Sequence, residues 1–274
     1  MTPPAACDCH AHVCGPESRY PYAPNRLYTP HDALPSDFRG MLDRLGIERG
    51  VLVQPSIYAT DNRAMLDALA QHPERLRGVA VVPWDISSKE LEKLHAAGVR
   101  GVRLNIVDLK EGKGVLALGR LKDLGRKIKP FGWHVEFLMH VDEFPDLDRQ
   151  LANFPVDVVF GHLGYVKAAA GISLPGFKAL LRLMRDGKAW VKLTAPYRLT
   201  TDAAPFAQAL VDAAPQRLVW GTDWPHVFIK AAMPDDAALL ELFKRWIPDE
   251  RLQRRILVEN PAALYRFAPI QSAM

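Results

Sequence analysis

The sequence predicts an α/β fold of one particular kind, a single (β/α)8 TIM barrel spanning 1–274. Three observations predict it. Eight short apolar runs alternate with eight or more stretches of helically spaced apolar residues, no linker or composition shift divides the chain, and histidines end three of the eight runs. Strands that alternate with helices argue for parallel β, and eight such units fill the length typical of a closed barrel, about 250 residues. A two-domain doubly wound protein is the alternative. It needs a Gly-rich phosphate turn after a strand, and the sequence contains no G-x-G-x-x-G.

Each element has its own signal. The first strand, 8–13, carries Asp8-Cys9-His10-Ala11-His12-Val13, and alternation places His10 and His12 on one face. The stretch 15–36 is rich in proline and carries Tyr20, Tyr22 and Tyr28, which predicts an ordered lid over a pocket. Phe38, Met41, Leu42 and Leu45 then recur at helical spacing up to Gly46, and a second strand follows at 50–56. Asn62 caps a helix ended by Pro73, before a strand at 76–84; Ser88 caps the next, before a strand at 99–107. Helices at about 115–129, 144–153, 175–185 and 203–213 lead to strands at 133–140, 156–164, 189–194 and 217–223. Helical stretches at about 235–246 and 249–267 close the chain.

Composition narrows the function. With 49% hydrophobic and 24% charged residues the chain is globular, and a net charge of +4 without a basic stripe argues against nucleic acid but suits a small anion. No apolar run approaches the roughly 18 residues of a membrane span, and the first residues lack the pattern of a signal peptide, so the expected location is the cytoplasm. Cys7, Cys9 and Cys14 are odd in number and close together, which argues against a disulfide framework. Cys14 reads as a buried thiol, with metal ligation as the alternative.

In a barrel the site lies at the C-terminal strand ends, so the last polar residues of each strand matter. In order these are His10 and His12, Gln54 and Ser56, Trp84 and Asp85, Arg103 and Asn105, His140, His162, Lys192 and Thr194, and Asp223. His72 and His95 read as helix residues, and His226 as the end of a turn.

Asp8-Cys9-His10-Ala11-His12, His162-Leu163-Gly164 and Trp220-Gly221-Thr222-Asp223-Trp224-Pro225-His226 resemble motifs of the amidohydrolase superfamily, in its amidohydrolase-related branch. Within that branch they look like the lactonases of 2-pyrone-4,6-dicarboxylate and of sugar acids. The resemblance implies a distorted barrel of the amidohydrolase type that hydrolyses a small anionic lactone, with Asp223 as the base. His10, His12 and His162 are then expected as donors around the carbonyl oxygen. Arg103 and Arg198 are candidate carboxylate clamps, and Tyr28 and Ser56 candidate substrate contacts.

Across the superfamily H-x-H, a histidine after strand five and an aspartate after strand eight bind a divalent ion, while the dicarboxylate lactonases do not need one. The expectation is therefore a reaction without a required metal. The alternative is one divalent ion, zinc by its ligand chemistry, on His10, His12, His140 and Asp223; Glu136, Leu138 and His140 share a strand face. Where the resemblance leads one to expect arginines, this chain has Asp108-Leu109-Lys110 and Tyr165, which suggests a substrate with fewer carboxylates. Two other functions compete: a metal-dependent decarboxylase or hydratase of the same branch, and a non-catalytic ligand-binding barrel. The last should have lost one of His10, His12, His162 or Asp223, and all four are present.

Overall fold

The computed structural model describes residues 2–107, 116–167, 171–199, 202–229 and 232–268. Asp108-Leu109-Lys110 lie outside the described residues. Eight parallel strands follow one another in sheet order: β1 (Cys7–Ala11), β2 (Arg49–Val53), β3 (Leu76–Ala80), β4 (Val99–Asn105), β5 (His134–Leu138), β6 (Val158–Phe160), β7 (Ala189–Leu193) and β8 (Leu218–Trp220). The helices between them are α1 (Pro35–Leu45), α2 (Arg63–Gln71), α3 (Ser88–Ala96), α4 (Leu118–Ile128), α5 (Leu147–Leu151), α6 (Pro175–Arg185) and α7 (Ala204–Ala213), and α8 (Asp236–Trp246), α9 (Glu250–Arg254) and α10 (Asn260–Tyr265) follow β8. The nearly closed (β/α)8 barrel expected from the sequence is present.

Alternate strand residues Cys7, Cys9, Val51, Val53, Val79, Val159, Trp190 and Val219 cluster with Leu264, Tyr265 and Phe267, so the chain's end plugs the barrel. A larger cluster joins the opposite strand faces to the helices, with Phe38, Leu69, Leu121 and Phe177 among its buried anchors. Within a helix the buried residues recur at spacings of three and four, as Phe38, Met41 and Leu42 do in α1, which makes each helix an amphipathic cover.

Several strands end sooner than their apolar runs, for physical reasons. After β3 the side chain of Asn62 takes over the backbone of Val81, accepting from its N–H at 3.1 Å and donating to its carbonyl at 2.8 Å, and Pro83 has no N–H to offer. After β6, His162 and Leu163 both adopt positive φ, which stops the ladder. Helix 249–267 is three pieces, since a π turn at Arg255–Glu259 separates α9 from α10. The expected helix at 144–153 shrinks to the five residues of α5.

The lid is ordered. Cys14 and Ala33 exchange backbone hydrogen bonds at 2.9 and 2.8 Å, and Tyr20 and Tyr22 pack with Ile57, Tyr58 and Ala64 beneath it. Cys7, Cys9 and Cys14 are all buried free thiols.

Closure between β1 and β8 uses a side chain. The buried carboxylate of Asp8 accepts from the backbone N–H of His10 at 3.1 Å, the N–H of Thr222 at 3.0 Å and the Thr222 hydroxyl at 2.6 Å. Beyond it, Asp223 N–H donates to His10 carbonyl at 2.8 Å and His12 N–H to Trp224 carbonyl at 2.7 Å. Asp8→Ala leaves three buried donors unpaired and should lower stability by about 3 kcal/mol or more, read as a fall in the thermal midpoint. Burial, opposed by these hydrogen bonds, lifts the Asp8 pKa from 3.8 to about 7. A folded pKa above the unfolded one means that the native state holds the extra proton, so this group's contribution is lost as pH rises from about 4 through 7. Asp8→Asn should flatten that fall, which a series of unfolding curves across this window checks.

Candidate active site

At the C-terminal ends of the strands lies a cavity of about 120 Å³ lined by His12, Tyr28, Ser56, Arg103, Asn105, Leu138, His162, Tyr165, Arg198 and Asp223, with Leu27, Val107, Val227 and Phe228 completing the wall. The structure thus gathers Asp223, His162, His12, Arg103, Arg198, Tyr28 and Ser56 around one hollow. His10 stands just behind, its ring 5.0 Å from that of His12 and 5.1 Å from that of His162. Trp84, also at a strand end, is exposed and takes no part in this cavity.

Asp223 is the hub. Its Oδ1 faces His10 Nε2 at 3.5 Å and His12 Nε2 at 3.7 Å, while Oδ2 accepts from the Tyr197 hydroxyl and Arg198 Nε, each at 2.8 Å. Burial alone would raise its pKa, but the Arg198 guanidinium, the strongest opposing neighbour, outweighs burial and holds the carboxyl well below its usual value. Asp223 also has a φ of 71°, in the left-handed region. His162, Leu163, Tyr165, Ala195, His226 and Phe228 share that feature, so backbone strain concentrates in the loops at this mouth.

The three histidines differ in what they can offer. His12 Nδ1 lies 2.7 Å from the Val53 carbonyl, which can only accept, so Nδ1 carries the proton. In the neutral ring Nε2 is therefore a lone pair, not the donor expected from the sequence. His162 is fixed by Thr194, whose Oγ1 accepts the His162 backbone N–H at 3.1 Å and lies 2.8 Å from Nδ1. The hydroxyl proton has Nδ1 as its acceptor among the described residues, which leaves Nε2–H as a donor. Burial pushes the His162 pKa down to about 3, so this ring is neutral at physiological pH.

Behind His10, Lys192 and Glu136 form an ion pair at 2.6 Å, both fully buried. Sequence reasoning placed Lys192 at a strand end and Glu136 on a strand face with Leu138 and His140, without giving either a task. Tyr197 was missed, since a tyrosine in a loop after β7 follows no periodic pattern. His226 was read as finishing a turn. It is buried, with Nδ1 2.8 Å from the Tyr197 hydroxyl and Nε2 3.0 Å from Asp236.

Two further expectations change. His140 falls beyond the end of β5, where the chain turns into a short helix; its Nδ1 meets the Tyr165 carbonyl at 2.6 Å and its ring packs on that of Tyr165. Among the described residues the group that offers ligand atoms within 4.8 Å of one another is His10, His12 and Asp223, without His140 or Cys14. Arg198 is engaged with Asp223 and, through Nη2, with the Val227 carbonyl at 2.8 Å, so its first task is to hold the carboxylate. Arg103 donates to the Gln54 carbonyl at 2.9 Å and lines the cavity.

Fold and site together define a parallel (β/α)8 barrel with three histidines, two arginines and an aspartate gathered at its C-terminal mouth. The sequence pattern of the amidohydrolase family matches residues 7–267. The chain is 37% identical to a 2-pyrone-4,6-dicarboxylate hydrolase of Comamonas testosteroni and 37% identical to a 4-sulfomuconolactone hydrolase of Rhizobium radiobacter, in each case over 96% of this chain and 90% of the relative. A probable 2-pyrone-4,6-dicarboxylic acid hydrolase of Acinetobacter baumannii, crystallised with citric acid bound, superposes with a TM-score of 0.85 at 32% identity, covering 96% of this chain and all of that one. This chain belongs to the amidohydrolase family.

If Arg198 is what keeps Asp223 ionised, Arg198→Met should move the Asp223 carboxyl titration upward. Carbon-13 NMR of the side-chain carboxyl reads this directly; an unmoved titration would assign the low value to the imidazoles instead.

Proposed function

We propose that this protein hydrolyses a carboxylate-bearing lactone, with Asp223 as the base. The observation that carries the reading is the pairing of acceptors and donors at one point: Asp223 Oδ1 and His12 Nε2 are acceptors 3.7 Å apart, and His162 supplies a donor beside them. A water between the two acceptors gives each a hydrogen and keeps a lone pair for attack. Asp223 takes the proton as the water oxygen bonds to the lactone carbon, and the carbonyl oxygen gathers charge against imidazole N–H groups. When the ring C–O bond breaks, the proton on Asp223 passes to the leaving oxygen, which completes hydrolysis to a hydroxy acid or, from an enol lactone, to the enol of a keto acid. Arg103 is placed to pair with a substrate carboxylate, while Tyr28 and Phe228, ring centroids 5.3 Å apart, form an apolar side to the mouth. The relatives that carry the names of lactone hydrolases support this reading.

His10, His12 and Asp223 also have the donor chemistry of a divalent-ion site, and His12 fits it, since a metal-bound imidazole normally gives its other N–H to a carbonyl or carboxylate. His10 fits less well, because its rear nitrogen, though 3.3 Å from Glu136 Oε1, also faces the Lys192 ammonium at 3.2 Å. We therefore assign the reaction to the protein groups alone, with no step through a metal, and a metal-dependent decarboxylase or hydratase as the competing function.

Asp223→Asn should lower kcat by three orders of magnitude or more toward whichever lactone in an acid-release screen is turned over best, with an unchanged circular dichroism spectrum. A variant within tenfold of the parent removes Asp223 from the mechanism. Elemental analysis of protein purified without chelator should find well under one equivalent of transition metal beside full activity.

A further inference from the structure

We infer that Lys192 and Glu136 act as positioning residues that fix which nitrogen of His10 bears the proton, and so make His10 Nε2–H a hydrogen-bond donor to the reacting oxygen. The inference rests on the lactonase reading for its chemical purpose, but its geometry stands independently.

Lys192 is 0% exposed. An ammonium placed there needs acceptors for its three hydrogens, because an unpaired buried charge is strongly unfavourable. Three acceptors surround it: Glu136 Oε2 at 2.6 Å, the Cys9 carbonyl at 2.8 Å and His10 Nδ1 at 3.2 Å. If Nδ1 carried a proton, an N–H would face the ammonium, and the third lysine hydrogen would lose its acceptor. The competing arrangement has His10 Nδ1–H donating to Glu136 Oε1, 3.3 Å away. Of the two contacts, the lysine one has hydrogen-bond geometry, and an ammonium can only donate, so at 3.2 Å it requires a lone pair on Nδ1, while the Glu136 carboxylate keeps its ion pair with Lys192 in either tautomer. Nδ1 therefore accepts, and a neutral His10 must be protonated on Nε2.

That nitrogen is buried and faces Asp223 Oδ1 at 3.5 Å, a contact that falls short of hydrogen-bond geometry. A buried donor held so loosely is under-satisfied, and at a reaction centre it can turn to a closer acceptor on a ligand. With His162 presenting its own Nε2–H nearby, the substrate oxygen meets two donors, while His12 and Asp223 remain as acceptors for water. Three histidines of the same residue type are thus divided into two donors and one acceptor by what stands behind each: Lys192, Thr194 and the Val53 carbonyl. The same tautomer withholds the lone pair that a metal would need from His10.

Long-range nitrogen-15 to carbon-bound proton correlations on the whole, ligand-free protein test this without any activity measurement. The expected pattern shows His10 with an unprotonated Nδ1 and a protonated Nε2, and His12 with the reverse. A protonated His10 Nδ1 overturns the inference, whatever the enzyme hydrolyses. The paired variant Lys192→Met with Glu136→Gln removes both charges together, so that no lone charge is buried. Provided that it folds, it should lose the single His10 tautomer, and kcat should fall about 10²-fold with KM little changed, as for loss of one oxyanion donor. A paired variant that keeps the parent's tautomer and kcat also overturns the proposal. Failure of every lactone in the screen, with the tautomers as expected, would instead discard the lactonase reading and leave the positioning roles in place.

Discussion

The hydrogen-bonded seam between β1 and the segment after β8 is the constraint on which the site depends. A parallel barrel must join its last strand to its first, and here β8 has only three residues, too few for a long ladder. Asp8 supplies the missing join by binding the backbone and hydroxyl of Thr222, and the next contacts, Asp223 to His10 and Trp224 to His12, continue it residue by residue. The residues that close the barrel are therefore the neighbours of His12 and Asp223, which line the cavity. Gly221 belongs to the same device: a Cβ there would lie 2.6 Å from the His10 backbone nitrogen and 2.8 Å from Asp8 Oδ1, so only glycine lets the two chains approach.

Buried charge in the barrel is arranged in two layers. Lower down, Lys192 and Glu136 neutralise one another; above them, Arg198 balances Asp223. Neither pair is a strong source of stability, because desolvation of both partners offsets most of their attraction. Their effect is on protonation. Burial disfavours charge on His10, and Lys192 adds to that, so the ring stays neutral beside an ionised Asp223. Neutral rings keep a lone pair or an N–H according to their partners, which is the property needed to hold water on one side and a carbonyl oxygen on the other.

Much of this was legible in the sequence, and the limits have physical causes. Alternating elements disclosed the barrel, and strand-end position disclosed His10, His12, His162 and Asp223, because both are local patterns read at a fixed period. His140 was misjudged by extending β5 two residues too far, a distance over which the chain had already turned toward Tyr165. The donor role expected of His12 depended on the Val53 carbonyl, 41 residues away, and the task of Lys192 depended on a histidine 182 residues away. Partners at such separations leave no local pattern. Tyr197 and the lid contacts of Tyr28 lie in loops, where no periodicity operates.

The mouth of the cavity bears on which lactones fit. Arg198 is turned to Asp223, and Tyr165 stands over His140 and 5.4 Å from the His162 ring, where a further arginine would have enlarged the positive field. Arg103 is left as the cavity-lining guanidinium not paired with a carboxylate among the described residues. The same wall carries Leu27 and Phe228, both more than half exposed, with Phe228 against Tyr28. A site with one cationic side and one apolar side orients a ring that carries its charge at one end. A carboxylate directed at the apolar side would give up its hydration without a guanidinium among the described residues to replace it.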